Sequence, residues 1–119
     1  MAGNHWNFIP QATVEEAKSK ARSVAYVESV ELVLLTNDKP RWVLAITGTL
    51  PTPCNQPRFT ARQEDHRLLV ELFSVRDPNT ICIEVIQPFQ GYIDLSPWID
   101  QGWAGEVWLN GQLVGRIER

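Results

Sequence analysis

The chain has 119 residues, 44% of them hydrophobic and 21% charged, and a net charge of -3 at neutral pH. That length makes one domain with room for its own hydrophobic core, and no stretch approaches the roughly 20 apolar residues that a membrane-crossing helix needs. Acidic and basic residues are interspersed, so the clustered basic face that nucleic acid requires is absent from the pattern.

The opening residues, Met1-Ala2-Gly3-Asn4-His5-Trp6-Asn7, lack the basic segment and apolar run of a secretory signal. Two addresses stay open from the residues alone: cytoplasmic, or exported with the export segment removed. Further on, Thr13-Val14-Glu15-Glu16 has the form of a capping box, with Thr13 as N-cap and Glu16 reaching back to it. A short helix over residues 14–23 is expected, with Val14, Ala17, Ala21 and Val24 at helical spacing. Being so short, it needs a surface to lie on.

From Tyr26 the period changes from about 3.6 to 2, which predicts an all-β body. In its first run Val30, Leu32 and Leu34 share a face, and Asn37-Asp38-Lys39-Pro40 makes the turn. In the second, Trp42, Leu44, Ile46 and Leu50 alternate with Val43, Ala45, Thr47 and Thr49. Further strands are expected over residues 58–63, 68–75, 81–86 and 89–95. They are separated by a loop at 51–57, a polar turn at Glu64-Asp65-His66, and Arg76-Asp77-Pro78-Asn79.

Near the end, Asn110-Gly111 supplies the positive φ angles of a two-residue type I′ turn, so residues 106–114 should form a hairpin. Pairing about that turn predicts Val107, Leu109 and Val114 on one face and Trp108, Leu113 and Ile117 on the other. About seven to eight short strands without intervening helices imply an antiparallel β-sandwich, with a small barrel as the alternative. The composition shift near Val24 divides the chain into an N-terminal arm, residues 1–24, and the β body, residues 25–119.

Three stretches carry a resemblance: Gly48-Thr49-Leu50-Pro51-Thr52-Pro53-Cys54, Ile81-Cys82-Ile83-Glu84-Val85-Ile86-Gln87-Pro88-Phe89, and Val107-Trp108-Leu109-Asn110-Gly111. In order and spacing they resemble an uncharacterised class of bacterial extracytoplasmic domains, often carried by lipoproteins, with an immunoglobulin-like β-sandwich fold. Composition leaves Cys54 and Cys82 open between a bridge and two buried thiols; the resemblance implies a disulfide. It also implies an exported location, and a lipid anchor on a removed segment, but no activity. The N-terminal arm and Trp98, Trp103 and Trp108 depart from the family's pattern.

Catalytic chemistry finds little support. His5 and His66 are the only histidines, and neither has a partner motif. The Cys and His residues lack zinc-site spacing. Cys54, between Pro53 and Asn55, has no neighbour to stabilise a thiolate. Glu71, Glu84 and Asp94 alternate along strands as solvent-facing carboxylates do, and no glycine-rich phosphate loop occurs. The expectation is therefore no enzyme, no cofactor and no metal.

The aromatic segment at residues 96–103 is the leading binding candidate, since Trp98 and Trp103 can stack on sugars or anchor a protein, or else plug the end of the sandwich. The second is the hairpin face bearing Trp108, Leu113 and Ile117, which the arm carrying Trp6, Phe8, Ile9, Val14 and Ala17 is expected to cover. The resulting expectation is a non-catalytic extracytoplasmic binding or structural module, touching a protein partner in an envelope complex. The alternative is an immunoglobulin-fold protease inhibitor presenting the loops at 51–57 and 96–103.

Overall fold

The computed structural model describes residues 6–36, 38–100 and 102–118; His5, Asn37 of the first turn and Gln101 of the aromatic segment lie outside the described residues. Among the described residues nine strands form: β1 (Asn7–Phe8), β2 (Ala21–Ser23), β3 (Tyr26–Leu35), β4 (Arg41–Leu50), β5 (Gln56–Glu64), β6 (Arg67–Arg76), β7 (Gln87–Asp94), β8 (Gly105–Leu109) and β9 (Gln112–Ile117). A short helix, α1 (Val14–Ser19), precedes β2, and a 3-10 turn (Ser96–Trp98) precedes β8.

The strands make two sheets. One has the order β1-β7-β4-β3; in the other, β6 carries β5 on one edge and β2 and β8 on the opposite edge, with β9 outside β8. Strand alternation places Leu44, Ile46 and Ile93 of the first sheet against Phe59, Leu68 and Val107 of the second, all at most 2% exposed. This is the expected β-sandwich. To its antiparallel pairings it adds short parallel strand pairings, β1 with β7 and β6 with β8, and a parallel bridge between Gln11 and Phe59. The second is possible because the chain between β6 and β8 detours through the other sheet, long enough for a parallel crossover.

The capping box forms as expected, with Glu16 N–H donating to Thr13 Oγ1 and Thr13 N–H to Glu16 Oε1. The helix stops at Ser19, short of residue 23, because Lys20 turns extended and Ala21, Arg22 and Ser23 pair with Arg76, Val75 and Ser74. Pairing with β6 overrides local helical spacing.

The arm also departs from its expected place over the hairpin. Its first residues join the edge of β7, Ile9 enters the core, and Ala12 N–H donates to Phe59 O at 2.9 Å, so the arm spans from one sheet edge to the other. Beyond it, Glu16 of α1 meets Arg58 at 3.0 Å, and Arg22 lies 3.8 Å over the Phe73 ring. The arm thus covers the β5–β6 region, while Val14 and Leu113 stay exposed. With strands in both sheets, residues 6–24 are woven into the sandwich.

The terminal hairpin has the expected turn, Asn110 at φ 50° and Gly111 at φ 81°. Its faces differ at one residue. A bulge between the Val107–Gly115 and Trp108–Leu113 pairs inserts Val114 and reverses the alternation beyond it. Ile117 therefore faces inward, opposite Gly105 and 4% exposed, and only Trp108 and Leu113 share the outer face.

The largest local departure is at residues 81–86, where strand-like alternation gives no strand. The β4–β7 ladder ends at Leu50 opposite Gln87. Beyond Leu50 the chain that would continue the ladder contains Pro51 and Pro53, which have no N–H to give. It folds into a turn instead, with Asn55 N–H donating to Thr52 O and Cys54 N–H to Thr52 Oγ1. The Asn55 amide then donates to buried Ser74 Oγ, which donates to Val24 O, and the chain passes into the second sheet. Residues 81–86 are left without a neighbouring strand.

Candidate functional site

The segment at 81–86 is launched by a tight turn. Thr80 N–H donates to Asp77 O, Asn79 N–H to Asp77 Oδ1, and the Arg76 guanidinium to Thr80 O at 2.9 Å. At its far end Gln87 enters β7. Between these anchors Cys82 is disulfide-bonded to Cys54, with Cα atoms 6.2 Å apart, so the pairing implied by the resemblance is present. The bond ties the segment to the 52–55 turn.

The side chains here run against the ordinary burial of β-branched residues. Ile81 is 98% exposed, Ile83 68%, Ile86 65% and Val85 55%. Single exposed apolar residues are unremarkable, but four within six positions make a contiguous patch of the kind that marks an interaction site. From residue 78 to residue 93 the one charged residue is Glu84. The sequence held a signal for this exposure in Pro51 and Pro53, which deny the segment its partner.

The three tryptophans expected to bind occupy two separate places. Trp98 packs edge-on against Phe59, ring centroids 5.2 Å apart, and its carbonyl accepts a hydrogen bond from the Gln63 amide. Trp103 lies so close to Gly105 that a Cβ there would come within 2.7 Å of the indole. Both are half-buried against the core at the end of the sandwich where β4 begins and β7 ends. Trp103 also lines an open cleft of about 1250 Å3 with Trp42, Asp100 and the Arg41–Asp94 ion pair, 3.4 Å long. Trp42 was not among the expected residues, because its alternation reads as ordinary core.

Trp108 stands elsewhere, on the outer face of the second sheet. Its indole N–H donates to Glu106 Oε1 at 3.0 Å, and the Arg67 guanidinium lies 5.9 Å from its ring. Leu113, its cross-strand neighbour, is 47% exposed.

His66 sits with Asp65 in the turn between β5 and β6, both at positive φ, and its carbonyl accepts from Glu106 N–H. Its side chain is exposed. Among the described residues no three His, Cys, Asp or Glu side chains come together as a metal would require, and no helix is long and apolar enough to cross a membrane.

The loops at 51–57 and 96–103 lie at opposite ends of the sandwich. The first follows Leu50 beside Gln87, and the second follows Asp94 beside Val43.

No curated protein and no solved structure matches the chain. The model of the ORF11 beta-sandwich domain matches residues 44–118, from within β4 to the end of β9, and includes the disulfide and the exposed segment. The chain belongs to the ORF11 beta-sandwich domain family.

Proposed function

We propose that this chain is a non-catalytic extracytoplasmic binding or structural module that contacts a protein partner in an envelope complex. The observation that carries this reading is the apolar segment at 81–86, held outside both sheets with Ile81, Ile83 and Ile86 each at least 65% exposed. Such a segment offers main-chain groups for strand addition and apolar side chains for specificity, a common mode of protein recognition. Trp103 in the cleft and Trp108 beside Leu113 are secondary contacts on this reading, while Trp98 acts as packing against Phe59.

The Cys54–Cys82 disulfide supports an oxidising location, and lipoprotein-type attachment is the finer form of that proposal. Fractionation of the source cells tests it: the chain should partition with the envelope, and recovery from the cytoplasm alone overturns the address. The binding reading is tested by cross-linking in envelope extract. A discrete partner should be recovered with the wild type and lost with Ile81→Ser/Ile83→Ser, while Trp98→Ala retains it if folded. Equal recovery by wild type and the double variant overturns the role of the segment.

Of the protease-inhibitor loops, the one at 51–57 is braced by the disulfide, which favours it as the wedge on that alternative reading. An inhibition panel at micromolar concentration tests that version, and no effect overturns it.

A further inference from the structure

We infer that the occupant of the segment at 81–86 is the same segment of a second copy of this chain, added antiparallel about a two-fold axis at Ile83. The inference rests on the proposed binding role and names its partner.

Charge and register favour this occupant. Glu84 is the one charged residue between 78 and 93, so the segment does not select a charged strand; it suits one that is apolar and β-branched, as it is itself. With the axis at Ile83, Ile83 faces Ile83 and Ile81 faces Val85 of the other copy. All three pairs on that face are then β-branched on β-branched, an arrangement that stabilises antiparallel strands. Glu84 falls opposite Cys82, which is already held in its disulfide. Moving the axis one residue, to Glu84, sets the two carboxylates directly against each other, which is destabilising. The self-complementary register is thus the one that separates the charges.

Length and area set the strength. Pro78 and Pro88 bracket the segment and cannot donate to a ladder, so an added strand takes its donors from the residues between them. The register brings together only Ile81, Ile83 and Val85 of each copy, so the contact falls below the roughly 1,000 Å2 that a specific, stable interface needs. A reversible dimer with a dissociation constant of about 10 μM to 1 mM is expected, rather than an obligate one. Because each copy carries net charge -3, added salt should screen repulsion between them and tighten the dimer.

Sedimentation equilibrium of the full chain across that concentration range, at low and high salt, is the first measurement. The dimer should strengthen with salt, and Ile83→Lys should weaken it at least tenfold while leaving the circular dichroism unchanged. A chain that stays monomeric at about 1 mM, or dimerises equally well with lysine at 83, overturns the inference. Register is read by mild oxidation: Ile83→Cys should give an intermolecular bond across the axis, because directly opposed residues have Cα atoms about 4.5–5.5 Å apart. Glu84→Cys should not, with the native Cys54–Cys82 bond verified by peptide mapping in both. Equal cross-linking at 83 and 84 overturns the two-fold at Ile83. The two readings separate cleanly: a monomeric chain whose envelope partner is lost in Ile83→Lys removes the second copy as occupant and leaves the binding role standing. If neither effect is seen, both fall.

Discussion

Ile9 lies against the main chain of Gly91, so close that a Cβ built on Gly91 would come within 2.6 Å of the isoleucine side chain. Ile9 is 1% exposed and its N–H donates to Tyr92 O, which makes the arm part of the core. Ile9→Ala should cost about 2–4 kcal/mol of unfolding free energy, and Gly91→Ala about 1–3 kcal/mol through overpacking. Urea denaturation of both variants checks this; an unchanged midpoint for Ile9→Ala would show the arm to be dispensable.

The disulfide should act as a brace. Closing a loop with sequence separation 28 predicts roughly 3.5 kcal/mol of stabilisation. Cys54→Ser/Cys82→Ser should therefore lower stability by up to that amount and still fold, since the Asn55–Ser74–Val24 hydrogen bonds hold the 52–55 turn independently. Near-UV circular dichroism with denaturant titration is the measurement. Loss of the native spectrum would mean the turn depends on the bond.

Glu16 has two tasks, capping α1 and pairing with Arg58, the side chains being 18% and 15% exposed. Glu16→Gln keeps a cap and removes the charge, so it should cost about 0.5–1 kcal/mol, whereas Glu16→Ala should cost about 1–2 kcal/mol. Equal losses in thermal unfolding would mean that the cap contributes nothing beyond the ion pair, and no loss in Glu16→Gln that the ion pair contributes nothing.

Asp65 and His66 both hold positive φ, 51° and 61°, in a two-residue turn between long strands. Asn-Gly suits that geometry better, so Asp65→Asn/His66→Gly should raise stability by about 1 kcal/mol. Thermal unfolding decides the matter, and a lowered midpoint would reveal a contact made by the His66 side chain.

How far the sequence speaks depends on which physical signal each element uses. The long strands β3 to β7 declare themselves by alternation over eight to ten residues, and the terminal turn by Asn110-Gly111. With two and three residues, β1 and β2 are too short to show a period; their partners, Gly91 and Ser74, are far along the chain. Ile117 faces opposite to its alternation because one inserted residue, Val114, reverses the pattern, and no local signal announces a bulge. Residues 81–86 have a strand's pattern, yet a strand also needs a neighbour, and Pro51 and Pro53 remove it. The tryptophans were visible as aromatic residues, but their division between the sandwich end and the outer face is set by tertiary packing.

The weaving of the arm has a consequence for biosynthesis. β1 and β2 are made before the strands that receive them, and neither can pair until β7 and β6 exist, dozens of residues later. Residues 6–24 must wait, unpaired, while the strands that will receive them are made. Residues 6–24 thus settle later than the strands that follow them, and a vectorially emerging chain would hold Ile9 exposed to chaperones until synthesis has passed Gly91.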